Sequence, residues 1–126
     1  GAMIPSAWYL QAQRFRRHAR QAIKSLFSQA DVLIAPATPC SATPIGAEEM
    51  VINGQPLPVR ASMGMLTQPI SFLGLPVVTV PLRTASGKPI GLQLIAAPFN
   101  EQACLRAARA LEAMGITDAR VAESAA

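Results

Sequence analysis

Proline and glycine decide what this chain can fold into. Its 126 residues hold 11 prolines and 8 glycines, and each is a place where a helix tends to stop or a strand to turn. After Pro5 there is no proline before Pro36 and no glycine before Gly46. A long helix therefore fits only in that window, and the rest must be assembled from short pieces. An all-helical bundle is excluded. The fold class expected is α/β, a mixed sheet flanked by helices. At this length one domain is expected. With 51% hydrophobic and 14% charged residues the chain can bury a core, which excludes global disorder. No run approaches the roughly 18 apolar residues of a membrane span.

Within the open window, Trp8, Ala12, Phe15, Ala19, Ile23 and Leu26 recur at steps of three and four. That period predicts a helix over 6–28 that buries a Trp8/Phe15/Ile23 stripe. Asp31 and the apolar run Val32-Leu33-Ile34-Ala35, ended by Pro36, read as a short, fully buried strand. A loop over 38–46 follows. Asn53-Gly54 is a hairpin signal because both residues accept positive φ. Pro56 and Pro58 then put the return strand at an edge. Thr67 is expected to cap a short helix with Pro69 in its first turn and Gly74 as its stop. Val77–Val80 and Ile90–Ala96 read as an antiparallel hairpin around a turn at Ser86-Gly87. A last helix starts at Asn100, exposes Glu101 to the favourable end of its dipole, and ends at Gly115. Its apolar stripe is Cys104, Ala107, Ala108, Leu111 and Met114. Gly1-Ala2-Met3 resembles the scar of a cleaved expression tag, residues 4–116 read as the folded segment, and 117–126 as a frayed tail.

The net charge of +4 is unevenly spread. Arg14, Arg16, Arg17, Arg20 and Lys24 crowd one segment, and no acidic residue precedes Asp31. The simplest reading is the solvated face of the first helix. Nucleic-acid binding gains no support from an aromatic ladder, phosphate loop or zinc spacing. Residues able to do chemistry are scarce. The one histidine, His18, lies among the arginines. Ser86 and Lys88 share a hairpin tip, where turn formation explains both. Cys40 sits in a loop without a second histidine to activate it, and Cys104 belongs to the apolar stripe. Glu48-Glu49 are adjacent and cannot both aim inward, so no metal ligand set forms. No catalytic residue, cofactor or metal is assigned on this basis. The two cysteines make no disulfide framework and fit a reducing, cytoplasmic setting.

Four blocks, in order, resemble the C-terminal portion of amidase-signature enzymes. They are Trp8-Tyr9-Leu10-Gln11-Ala12-Gln13-Arg14-Phe15-Arg16, Asp31-Val32-Leu33-Ile34-Ala35-Pro36-Ala37-Thr38-Pro39, Leu66-Thr67-Gln68-Pro69-Ile70-Ser71-Phe72-Leu73-Gly74-Leu75-Pro76 and Pro89-Ile90-Gly91-Leu92-Gln93-Leu94-Ile95. The resemblance covers roughly Trp8 to Met114. It implies an α/β/α fold and a Ser–cis-Ser–Lys triad carried upstream of this region. The implied reaction is cleavage of a carboxamide or urea-like C–N bond through a serine acyl-enzyme, with release of ammonia. The wording of the third block and the Asn53-Gly54 insert look closest to the carboxybiuret hydrolase branch. The glutamine amidotransferase branch, which serves transfer-RNA amidation, carries an aspartate where Gly64 stands here. A glycine cannot supply that charge.

The resemblance also implies that Met65 to Ile70 border a substrate pocket in the complete enzyme. Met65, Thr67 and Gln68 are the substrate-binding candidates, with Phe99 closing one side. For Thr67 helix capping is the competing role, and for Phe99 plain packing. Gln93 is expected to be buried and hydrogen-bonded. A small amide or urea-like molecule is the expected substrate. A small partner subunit, as some branches require, and a homo-oligomer are the expected protein partners; no nucleic acid or membrane is. A non-catalytic interaction module and a glutaminase like the catalytic chain of the transfer-RNA amidotransferases are the alternatives.

Overall fold

The computed structural model describes residues 3–117. The expected tag scar and frayed tail therefore lie outside the described residues, except for Met3 and Thr117. The elements are α1 (Ser6–Lys24), β1 (Val32–Pro36), β2 (Glu49–Ile52), β3 (Gln55–Pro58), α2 (Val59–Ser62), α3 (Gln68–Leu73), β4 (Val77–Arg83), β5 (Pro89–Ala96) and α4 (Glu101–Ala113). Among the described residues no helix is long and apolar enough to cross a membrane.

Three strands form one sheet in the order β1-β5-β4, with both ladders antiparallel. The β4–β5 hairpin is the predicted local pair. The β1–β5 pair joins segments far apart in sequence, setting Ile34 opposite Leu94 and Ala35 opposite Gln93. As the central strand, β5 is covered on both sides, and Gln93, Leu94, Ile95 and Ala96 are all buried. Strand alternation sends these residues to opposite faces. On one face Ile95 packs with Leu73 and Leu75, and Ala19, Ile23, Phe27 and Ile70 close over them. On the other, Ala96 meets Ala103 and Cys104 of α4, beside Val32 and Val78. The layers are thus α1 with α3, the sheet, and α4. The second sheet is the β2–β3 hairpin, turned at Asn53 (φ 50) and Gly54 (φ 78). With two strands, β3 can hold Pro56 and Pro58 without losing a central ladder bond.

Gln93 links these layers. It is 2% exposed, and its Nε2 donates to the carbonyls of Pro36 (2.9 Å) and Leu66 (3.3 Å). One amide thus joins the end of β1 and the segment leading into α3 to the central strand. Gly91, two residues earlier on β5, leaves no room for a side chain. A Cβ there would lie 2.8 Å from Thr79 Cγ2 and 2.9 Å from the Ala37 Cβ.

Several expectations change. α1 ends at Lys24, and turns continue to Gln29. Of its expected buried stripe only Ile23 packs, half-buried, whereas Trp8 is 67% and Phe15 62% exposed. A 19-residue helix is about 28 Å long, and the sheet and α3 cover only its C-terminal half. β1 is not fully buried either. It lies at a sheet edge and exposes Ile34. Met114, expected on the α4 stripe, is exposed as the C-cap. There Gly115 takes φ 69, its N–H donates to the Glu112 carbonyl, and the Ile116 N–H donates to Leu111. That paired pattern closes the helix as the terminal glycine predicted.

Replacing Gln93 by leucine keeps the volume and removes both hydrogen bonds. Gln93→Leu is expected to lower stability by about 1–3 kcal/mol. Urea unfolding should show a lower midpoint, and an unchanged midpoint would remove Gln93 from its linking role.

Candidate functional site

The candidate segment begins at Gly64. Its carbonyl accepts from the Thr67 N–H (3.1 Å), the Gln68 N–H (2.9 Å) and the Thr67 hydroxyl (3.2 Å). The expected side-chain cap on α3 is therefore absent: the hydroxyl points back into the loop, and Thr67 itself has helical φ and ψ. The α3 stop is as predicted. Gly74 takes φ 68, its N–H meets the carbonyls of Ile70 and Ser71, and Leu75 N–H reaches Ile70 at 3.5 Å. That turn delivers Leu75 into the core.

Gln68 is exposed, and its side chain lies over Gly64. A Cβ on Gly64 would come within 2.9 Å of Gln68 Nε2. The missing side chain at position 64 is thus the space in which the Gln68 carboxamide rests. Thr67 is half-buried beside it, and Met65 is exposed. Gln93, through Leu66, holds this segment against the end of β1. Met65, Thr67 and Gln68 therefore share one loop and helix start. Phe99 is different. It is 95% exposed, with φ 64, so it neither packs against the described residues nor closes a cavity formed by them. A phenylalanine in the left-handed region is uncommon, and the position leads directly into α4.

Two cavities stand out, and none of the four candidate residues lines either. One, about 700 Å³ and wide open, lies beside the sheet between Thr38, Cys40, Met63, Thr79 and Gly91. The other, about 450 Å³, runs along α1 between Arg16, Arg20, Lys24, Phe27, Leu75 and Pro98. Sequence reasoning placed the basic residues on a solvated face and missed this groove. The crowding of five cations was the available signal.

The remaining chemistry is sparse. His18 is exposed on α1. Ser86 and Thr84 share a 2.8 Å hydrogen bond, and the Thr84 hydroxyl also meets the Lys88 backbone. Those bonds are turn chemistry. Cys40 Sγ lies 3.6 Å from Met50 Sδ, and Cys104 Sγ lies 3.6 Å from the Pro76 carbonyl oxygen. Both thiols are free. Among the described residues no group of three His, Cys, Asp or Glu side chains could hold a metal.

Comparison with known proteins places this geometry in a family. Residues 1–105 match the amidase family. The chain is 54% identical over 118 residues to AtzE, the 1-carboxybiuret hydrolase subunit of Pseudomonas sp. (strain ADP), covering 92% of this chain and 26% of that protein. It is 40% identical over 96 residues to the A-type chain of the glutamyl-tRNA(Gln) amidotransferase of Macrococcus caseolyticus, covering 76% of this chain and 19% of that one. A solved structure of a vestigial protein complex, described as revealing the evolutionary origins of an s-triazine catabolic enzyme, superposes with TM-score 0.88. Its identity is 52%, over 95% of this chain and 27% of that one. The chain belongs to the amidase family, and it spans about a quarter of the length of the curated 1-carboxybiuret hydrolase subunit.

Two measurements check the site geometry. Thiol labelling of the native chain should modify half-buried Cys40 well before Cys104, which is 1% exposed; equal rates would contradict the packing of α4. Gly64→Ala should displace the Gln68 carboxamide and shift its side-chain NH₂ resonances, while far-ultraviolet circular dichroism stays unchanged.

Proposed function

We propose that this member of the amidase family is the C-terminal portion of an amidohydrolase acting on a carboxamide or urea-like C–N bond. In the complete protein a serine Oγ attacks the carbonyl carbon and the C–N bond breaks. Ammonia leaves with the proton that the nucleophile gave up, and water then hydrolyses the acyl-serine to the free acid. The Ser–cis-Ser–Lys triad for these steps lies on polypeptide outside these 126 residues. What this chain contributes is a wall. The 54% identity with the 1-carboxybiuret hydrolase subunit, over 92% of the chain, is the observation that carries the reading.

The candidate wall is the segment held by Gln93. Thr67 and Gln68 offer a hydroxyl and an amide beside apolar Met65, a combination suited to a small polar amide. Phe99 enters this reading as an exposed ring available to close the pocket from polypeptide outside this chain. A glutaminase of transfer-RNA amidation is the second reading, supported by 40% identity to the A-type amidotransferase chain. The placement of Gln68 over Gly64 disfavours it, because the carboxylate expected there in that branch would compete for the same space. The exposed rings of Trp8, Phe15 and Phe72, the last two stacked with centroids 6.3 Å apart, form a surface that further polypeptide would cover. It suits the rest of a complete domain, a second copy or a small partner subunit. We place the protein in the cytoplasm, where two free thiols stay reduced.

The isolated 126-residue chain should release no ammonia from biuret-like or simple amides, whereas a longer protein carrying the upstream signature should. Sustained turnover by the isolated chain would end this reading. In the longer protein, Gln68→Ala should raise KM roughly tenfold with a smaller change in kcat, as loss of a substrate hydrogen bond worth about 1.5 kcal/mol predicts.

A further inference from the structure

The 450 Å³ groove along α1 is not used by the proposed reaction. Its wall is one helix face: Gln13, Arg16, Arg17, Arg20 and Lys24 recur at steps of three and four. Its floor is apolar, built from Ile23, Phe27, Leu75 and Pro98. Among the described residues none of the four cations forms an ion pair or side-chain hydrogen bond. Arg16 is the telling member. Its Nε is shielded from solvent yet has no hydrogen-bond partner, and its guanidinium sits close enough to Gly74 that a Cβ there would lie 2.9 Å from Nη2. Arg16 thus reaches from α1 to the turn at Gly74, and its charge stands without a carboxylate partner among the described residues.

We infer that this groove is a docking site for an acidic polypeptide segment whose apolar side chains rest on the Ile23–Phe27–Leu75 floor. Its carboxylates meet Arg16, Arg17, Arg20 and Lys24. Charge complementarity sets the sign of the occupant. The apolar floor selects a peptide over a phosphate backbone. From Arg16 to Lys24 the wall rises only about 12 Å along the helix, a short track for a nucleic-acid strand.

The test uses the 126-residue chain and three probes: a labelled peptide of alternating Glu and Leu, its Gln-for-Glu counterpart, and a short single-stranded RNA. Fluorescence anisotropy at low ionic strength should show saturable binding of the Glu peptide and much weaker binding of the other two. Arg16→Gln with Arg20→Gln should weaken it at least about tenfold, while Arg106→Gln with Arg109→Gln on exposed positions of α4 should change it less than about twofold. Backbone amide shifts of the unmodified chain should move along Arg16–Lys24 on titration, which keeps the test valid if the double variant misfolds. Absence of saturable binding, equal losses in the two double variants, preference for RNA, or shifts mapping elsewhere would each overturn the proposal.

Discussion

The Gln93 side chain is the constraint on which the arrangement rests. A carboxamide buried at the centre of a sheet must find partners, because an unpaired one is costly. Here the partners are the carbonyls of Pro36 and Leu66, from two segments distant in sequence. The same bond that satisfies the amide fixes the end of β1 and positions the loop entering α3. β5 carries this residue between β1 and β4, and the strand pleat alternates its side chains between two helical layers.

Around that strand, packing is dense on the short-range side and open elsewhere. α4 seals one face with Ala103 and Cys104, small residues that let the helix approach Ala96. On the other face the C-terminal half of α1, Phe27 beyond it, Ile70 and the Leu73–Leu75 turn make contact. The remaining half of α1 carries Trp8, Tyr9 and Phe15 into solvent. Burial of such rings is worth kilocalories each, which is the gain open to the further polypeptide proposed above. The basic groove on the same helix is the polar counterpart of that surface. One element thus combines an intramolecular contact, an apolar overhang and a row of cations.

The reading as part of an amidase rests on the same division. The proposed wall needs rigid placement of a few polar groups, and three hydrogen bonds to one carbonyl fix the Gly64–Gln68 turn. A nucleophile needs a base and oxyanion donors at fixed distances, and the exposed His18 and the Ser86 turn do not meet that requirement. Family membership and the layered fold agree with each other, since the solved relative with TM-score 0.88 matches nearly the whole chain.

Most of the elements were legible in the sequence. Prolines and glycines act on their own residue's φ and ψ, so the Asn53-Gly54 hairpin, the stops at Gly74 and Gly115 and the long helix after Pro5 needed no distant partner to be foreseen. The β4–β5 pair was equally local, and the burial of Gln93 followed from an amide set among apolar neighbours. Other features depended on what arrives from far along the chain. Only the fold brought β1 beside β5, left Trp8 and Phe15 exposed while packing half-buried Ile23 against the core, turned the Thr67 hydroxyl back to Gly64, and set Phe99 outside every contact of the described core. A periodic pattern says which face of a helix is apolar, but the length of that face that finds a partner depends on the reach of the sheet beneath it.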